Sequence, residues 1–406
     1  MTPMAEPHDG APNPDGEELH HFSEYALPDP LMQAIDDLGY KHCTPIQSQV
    51  LPLSLADYDI TGQAQTGTGK TAAFLITILT HLWEQPRKHA PKNQLPAPRS
   101  LVLAPTRELA MQIEADGTEL ARHMDQDALC VVGGMDIQKQ VNRLNAERPN
   151  ILIATPGRLI DLLQRGWVDI GGVEILVIDE ADRMLDMGFI PDVRRIVYRT
   201  PHKHRRQTLF FSATFNDDVM RLAQSWTLQP EHIAIAPEQV AVDTVEQLFW
   251  LTSREGKRQL LRDFLKIEQP ERALIFANRR DQTHRLNQWL NSKGIDSEAL
   301  AGDVPQNKRT RTLSRFKEGR IRYLVATDVA GRGIHVDGIS HVINYDLPED
   351  AEDYVHRIGR TGRAGASGVS ISFVSEDDAF NLPAIEEFLG APVKCVQPRL
   401  DNRQNP

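Results

Sequence analysis

Cysteine is scarce in this 406-residue chain. The three present, Cys43, Cys130 and Cys395, are far apart and odd in number, so neither a disulfide framework nor a zinc cage is implied. No apolar run approaches the ~18 residues that a membrane-spanning helix needs. The opening stretch, MTPMAEPHDGAPNPDGEELHH, is acidic and lacks an apolar core, so it reads as neither a signal nor a transit peptide. A positive excess is missing too: 45 Lys+Arg stand against 56 Asp+Glu, and 45 − 56 = −11. What remains is ordinary globular usage, 40% hydrophobic and 25% charged, which excludes collagen-like, coiled-coil and wholly disordered chains. A cytoplasmic protein without membrane contact, and a monomer, is the expectation.

The distribution of charge matters more than its sum. Residues 1–20 hold five acids and no bases, residues 21–237 hold 21 bases and 26 acids, and residues 238–406 hold 24 and 25. Residues 1–19 form an acidic tail with too little apolar surface to offset the entropy of ordering, and disorder is expected there. An acidic total weighs against nucleic acid in general, yet it leaves room for a basic groove in a near-neutral fold.

At ~150 residues per domain, the length suggests two or three domains. From residue 57 short buried-type runs alternate with helical stretches: DYDITGQA (57–64), SLVLAPT (100–106), ALCVVGG (128–134), NILIATP (150–156), EILVIDE (174–180) and QTLFFSAT (207–214). Runs with so little alternation suit parallel strands covered on both faces. Helical spacing between them, as in TRELAMQIEADGTELARHM (106–124), predicts a doubly wound α/β domain over 20–237. The pattern restarts with RALIFAN (272–278), IDSEALAG (295–302), RYLVATD (322–328), HVINYDL (341–347) and GVSISFV (368–374). A second α/β domain is therefore predicted over 245–406, after a linker at 238–244 and with a short tail from about 393. The Pro-rich stretch 85–99 reads as a loop on the first domain.

Three segments carry chemistry. AQTGTGKT (64–71) follows a strand and opens a helix. In such a loop Gln65, Thr66, Gly67, Thr68 and Gly69 present backbone N–H groups to phosphates, Lys70 adds a cation, and Thr71 offers a hydroxyl to Mg²⁺. Ala64 stands where the strict pattern has Gly, so a Gly-rich turn would read similarly. VIDEAD (177–182) ends a buried strand with acids at its carboxyl tip, where an open α/β sheet presents its ligand crevice. Asp179 suits Mg²⁺, partly through water, and Glu180 suits polarising an attacking water. In HRIGRTGR (356–363), Arg360 and Arg363 lie three apart, and on a helical turn both would point one way. Two guanidiniums presented across a cleft to nucleotide would form a clamp on transition-state charge.

Taken in order, these and further segments resemble the DEAD-box RNA helicases from about Phe22 to about residue 390. The segments are Phe22 with GYKHCTPIQ (39–47), AQTGTGKT, PTRELA (105–110), GG (133–134), TPGR (155–158), DEAD (179–182), SAT (212–214), LIFANRR (274–280), ATDVAGRGI (326–334) and HRIGRTGR. The resemblance implies two tandem RecA-like domains, each a mostly parallel sheet flanked by helices on both faces, and RNA-stimulated ATP hydrolysis coupled to non-processive unwinding of short duplexes. It implies an adenine-reading segment over 20–48, in which the Gln47 amide reads the base while Phe22 and Tyr40 pack near it. Ser212, Ala213 and Thr214, with Asp182 and His356, would link nucleotide state to RNA grip. Pro105, Thr106, Arg107, Gly134, Thr155, Gly157, Arg158 and, in the second domain, Thr327 would hold the RNA sugar–phosphate backbone without sequence readout.

The pattern departs from the family at three places. His335 stands where an acid commonly meets the ATP ribose, Ala301 replaces a common His, and Arg279–Arg280 replace a small polar and a basic residue. The stretches VAGRGIHVDGISHVINY and GASGVSISFVSEDDAFNLPAIEEFLG are similar to the bacterial RhlB-type helicases. That implies a role in RNA degradation, with the endonuclease RNase E of a degradosome as partner. An ATP-gated RNA clamp with little turnover, a two-domain DNA helicase and a helicase of ribosome assembly are the alternatives.

Overall fold

The computed structural model describes residues 20–64, 68–86, 94–235, 245–331, 336, 338–362 and 368–398. The expected tail over 1–19 and the expected linker at 238–244 lie outside the described residues. The chain divides into two compact units between Ala236 and Pro237.

The first unit is built on β1 (Ile60–Gln63), β2 (Ser100–Leu103), β3 (Ala128–Val131), β4 (Ile151–Ala154), β5 (Ile175–Ile178), β6 (Gln207–Ser212) and β7 (Glu231–Ala234). They pair in the order β3-β4-β2-β5-β6-β1-β7, and every ladder is parallel. Alternate residues of one strand enter two different cores. Val102, Ile153, Val177 and Phe211 pack with Phe74, Leu75 and Ile113 on one face. Leu101, Leu103, Leu152, Ile178 and Phe210 pack with Leu159, Val193 and Trp226 on the other. Both faces are therefore apolar, which is why SLVL, ILIA and ILVI run unbroken instead of alternating.

The helices begin where capping residues follow strand ends. α1 (Asp29–Asp37) and α2 (Pro45–Ser54) precede the sheet, and α3 (Lys70–Glu84) follows β1. After β2, Thr106 caps α4 (Arg107–Leu120); after β3, Asp136 caps α5 (Ile137–Glu147); after β4, Thr155 precedes α6 (Pro156–Gln164), with Pro at the first helical position. α7 (Ala181–Asp186), α8 (Ile190–Val197) and α9 (Asp217–Trp226) complete the unit. A parallel sheet with short strand-to-helix loops gathers the starts of α3, α4, α5, α6, α7 and α9 at its carboxyl edge.

The second unit repeats the plan. Its strands are β8 (Val245–Leu251), β9 (Ala273–Phe276), β10 (Ser297–Leu300), β11 (Tyr323–Ala326), β12 (His341–Asn344), β13 (Gly368–Val374) and β14 (Cys395–Val396). The order is β10-β11-β9-β12-β13-β8-β14 with parallel ladders throughout. Counted from its own first strand, this is the order of the first unit. Three strands went unread in the sequence. β7 is an edge strand with one buried residue, Ile233, and β8 mixes exposed and buried positions without a clean period. β14 corrects the tail expected from about 393: Cys395 and Val396 pair with Phe249 and Trp250, and both side chains pack on the core.

One buried cation organises the second unit. Arg357, 2% exposed, ends α14 (Ala351–Ile358) and grips Asp328 with two bonds of 2.6 Å. It also donates to Asp346 O at 2.6 Å, Asn278 Oδ1 at 2.8 Å and Asn344 Oδ1 at 3.3 Å, with its guanidinium 5.1 Å from the Phe276 ring centre. Lys257, which opens α10 (Lys257–Ile267), is buried between two carboxylates, 2.6 Å from Asp378 and 3.1 Å from Asp346. Removing one member of a buried charge pair strands the other, at a cost of about 3–5 kcal/mol. Arg357→Met is accordingly expected to lower the urea midpoint of the second unit's unfolding while leaving that of the first unit in place; equal midpoints would show that the guanidinium is dispensable.

Candidate active site

The nucleotide-side residues follow β1. Gly69 takes φ 95° at the start of α3, a left-handed conformation that a side chain would strain, and an added Cβ would lie 2.5 Å from Gln47 Nε2. Gly69, at the N-cap, has no side chain to cap the first N–H groups of this 15-residue helix. Lys70 is 5% exposed and donates to Ala64 O at 2.8 Å, with Nζ 3.7 Å from Asp179 Oδ1. Thr71 sits one residue further on, half-buried. Gln47 is engaged at both ends of its amide: Oε1 accepts from Thr44 N at 2.8 Å, closing a capping box on α2, and Nε2 donates to Gly69 O at 3.1 Å. It ties α2 to the loop that opens α3. Phe22 is buried, with its ring 6.4 Å from that of Tyr40, which is 41% exposed. Gln65, Thr66 and Gly67 lie outside the described residues.

The acids follow β5. Asp179 is 2% exposed, and burial raises its carboxyl pKa to about 6; Lys70 opposes the shift, the neighbouring Glu180 carboxylate adds to it, and the Glu180 N–H opposes it. Glu180 adopts φ 53°, an unfavourable conformation for a side-chain-bearing residue, and Arg183 Nη1 holds its Oε2 at 3.1 Å. Asp182 turns the other way. Its Oδ2 accepts from Ala213 N at 3.1 Å, Thr214 N at 3.0 Å and Thr214 Oγ1 at 3.3 Å, while its own N–H donates to Ser212 Oγ at 3.1 Å. The loop after β5 and the loop after β6 thus move as one piece.

Further along the same edge lie the groups expected to grip a backbone. Thr106 Oγ1 accepts from Leu109 N at 3.3 Å, and Thr155 Oγ1 accepts from Gly133 N at 3.3 Å. Gly134, at φ 73°, leaves room for Arg107, whose guanidinium a Cβ there would overlap. Arg158 donates to Met135 O at 3.0 Å through Nη2, while its buried Nη1 finds no partner. Burial pushes the Arg158 guanidinium pKa down, and the Arg107 charge does the same. Two close cations, one with an orphaned donor, fit an anion. Gly157 is exposed with open space around its Cα, and Pro105 is buried behind the loop.

In the second unit Thr327 is buried after β11, and Gly331 N donates to its carbonyl at 2.6 Å. Arg360 is 4% exposed, with Nε donating to His356 O at 3.1 Å; His356 Nδ1 lies 3.8 Å from Asp353 Oδ1. α14 ends at Ile358, and Arg360 sits in the turn beyond that helix. Arg363 and His335 lie outside the described residues.

Residues 44–222 match the family of DEAD/DEAH box helicases, and residues 256–365 match the helicase conserved C-terminal domain. The chain is 56% identical over 378 residues to the ATP-dependent RNA helicase RhlB of Pseudomonas aeruginosa, covering 93% of this chain and 94% of that protein. It belongs to the DEAD-box helicases. RhlB of a Shewanella species is 45% identical, over 91% of this chain and 83% of its own length. Among solved structures, Saccharomyces cerevisiae Dbp5 bound to RNA and ADP-BeF3 superposes with a TM-score of 0.81 at 31% identity, over 94% and 96% of the two chains. Mss116p bound to single-stranded RNA and AMP-PNP gives 0.81 at 29% identity, over 96% and 82%. Two tandem parallel α/β units are the DEAD-box helicase fold.

Set within this family, several site residues were unread in the sequence. Thr44 and Arg183 hold Gln47 and Glu180, and Arg357 with Asp328 anchors the segment that carries Arg360. Arg183, three residues after Glu180 in a helix, is the one a spacing argument could have found. No helix among the described residues is long and apolar enough to cross a membrane, and no group of three or more His, Cys, Asp or Glu side chains among them could hold a metal ion.

The raised Asp179 pKa fixes a sign. The folded state holds the proton more tightly than the unfolded chain, so this carboxyl's contribution favours folding at low pH and is lost as pH rises from about 4 to about 6. Without divalent cations, Asp179→Asn should flatten that fall; denaturation midpoints of both proteins across the window provide the check, and parallel curves would refute it.

Proposed function

We infer that the protein is an ATP-dependent RNA helicase in which RNA-stimulated ATP hydrolysis drives local, non-processive separation of short duplexes. The observation that carries this is Asp182, whose carboxylate and backbone N–H join the acids beside the nucleotide loop to Ser212–Thr214 through three hydrogen bonds and one, respectively. ATP lies along the start of α3, with Lys70 on its outer phosphates and Gln47, Phe22 and Tyr40 at the base. Thr71 and Asp179 suit Mg²⁺: a hydroxyl and a buried carboxylate whose proton affinity is raised are a hard-oxygen donor set wanting a cation. Bound there, the ion would neutralise charge on the β- and γ-phosphates.

Glu180 orients a water and draws off its proton as the water oxygen attacks the γ-phosphorus. The bond to the β-phosphate oxygen breaks, and ADP takes the electron pair. Arg360 and Arg363 stabilise the charge that develops, which requires the second unit to reach the nucleotide during the cycle. Ser212, Ala213, Thr214, Asp182 and His356 relay the change. Thr106, Arg107, Gly134, Thr155, Gly157, Arg158 and Thr327, with Pro105 behind them, hold RNA by its sugar–phosphate backbone. A strand bent on binding cannot remain paired, so local duplex opening follows.

Resemblance to the RhlB-type helicases supports a cytoplasmic role in RNA degradation as a monomer partnered by RNase E. Co-purification of that endonuclease with the full chain from native cells is the outcome expected.

Lys70→Ala should abolish ATP turnover. Glu180→Gln should keep ATP binding, cut RNA-stimulated hydrolysis by about 100-fold or more, and trap the protein on RNA. Normal turnover by the Gln variant would remove Glu180 from its role, and failure of RNA to stimulate the unsubstituted protein would favour a clamp. Gly134→Ala, by displacing Arg107, should weaken RNA binding in a filter assay without altering nucleotide affinity.

A further inference from the structure

Residues 193–206, VRRIVYRTPHKHRR, contain six Lys/Arg, two His and no acid, in a chain whose net charge is −11. They lead into β6, which begins at Gln207 and delivers Ser212 to the carboxyl edge. The segment that follows α8 therefore lies at the opposite, amino-terminal edge, about 20 Å of strand away from Ser212.

Its shape is fixed from within. Arg206, 8% exposed, donates to Thr200 Oγ1 at 2.9 Å, to Pro201 O and to Trp226 O at 3.3 Å. Lys203 donates to the carbonyls of Thr227 at 2.8 Å and Gln224 at 3.1 Å. Other cations face outward. On α8 and the residue pair beyond it, Arg194 and Tyr198, and likewise Arg195 and Arg199, are four apart, opposite the buried Val193, Ile196 and Val197. Tyr198 is 82% exposed. Arg195 meets Asp192 at 3.4 Å with both side chains exposed, a weak pair, and Arg199 donates to Leu163 O. Arg194 and Arg205 make no ion pair among the described residues. Beside Arg205 opens a pocket of about 490 Å³, shared with His204 and Tyr58, the latter 50% exposed. Of the acids in its wall, Asp59 accepts from the N–H groups of Thr208 and Leu228, and Glu174 is held by Arg99 and His81. Asp57 is the remaining carboxylate.

We propose that this amino-terminal edge is a second RNA-binding surface, taking the single-stranded extension of a substrate engaged at the carboxyl edge. The proposal rests on the RNA reading given above. Cations that track phosphates, with exposed aromatics on which bases stack, form a sequence-tolerant single-strand site. An acidic protein segment would satisfy the cations alone; the flanking tyrosines favour a base. The prefixed loop lowers the ordering cost of binding.

The test uses the full chain, unsubstituted and with Arg194→Ala, Tyr198→Ala and Arg205→Ala combined, all at exposed positions. Fluorescence anisotropy with oligouridines of about eight and about thirty nucleotides, over a range of salt, reads affinity and salt slope. Affinity for the long strand should fall about tenfold, and its salt slope by about 1.4, or 0.7 for each of two lost phosphate contacts. Binding of the short strand, and its stimulation of ATPase, should be unchanged. Unaltered long-strand binding would mark the patch as a solvated face and overturn the proposal, as would equal losses on both strands. If neither strand stimulates the unsubstituted protein, the RNA reading fails and takes this proposal with it.

Discussion

The first unit depends on one carboxylate. Asp182 lies two residues after Glu180, and its Oδ2 is committed to a loop from a different strand. Any shift of the acids beside Lys70 must pull on Ser212–Thr214, and the reverse also holds, because a carboxylate with three acceptor bonds on one oxygen cannot slip past its donors cheaply. The residues around it are strained in a way that fits such a role. Glu180 keeps a left-handed backbone, and Asp179 remains buried against its preference for water. That tension persists because β5 and β6 are clamped side by side in parallel register, Ile178 opposite Phe210.

How much of this was legible beforehand differs by element. The central strands β2, β4, β5, β9 and β11 were plain, since a strand buried on both faces has to be an unbroken apolar run. The edge strands β7 and β14 carry no such mark: Glu231–Ala234 buries one side chain, and Cys395–Val396 is only two residues long. The chemistry-bearing motifs were readable as segments, but the partners of their side chains were not. Gln47 illustrates the gap. Its amide bonds to Gly69 O across 22 residues, a link that no local spacing announces. Arg357 does so more forcefully, since in HRIGRTGR it is one arginine among three. Its buried grip on Asp328, Asn278 and Asn344 exists only once β9, β11 and β12 lie side by side. Where α14 stops was equally unannounced: it ends at Ile358, before Arg360.

The two sheets share a strand order yet differ at the lysine that follows the first strand of each. By position, Lys257 after β8 is the counterpart of Lys70 after β1, each directly preceded by a glycine, and Asp346 after β12 corresponds to the acids after β5. Yet Gly256 is in a right-handed helical conformation where Gly69 is left-handed, and the Lys257 ammonium is already neutralised by Asp346 and Asp378. A triphosphate arriving there would have to displace two carboxylates from a buried cation. The duplicated half thus carries internal counter-ions for its own lysine.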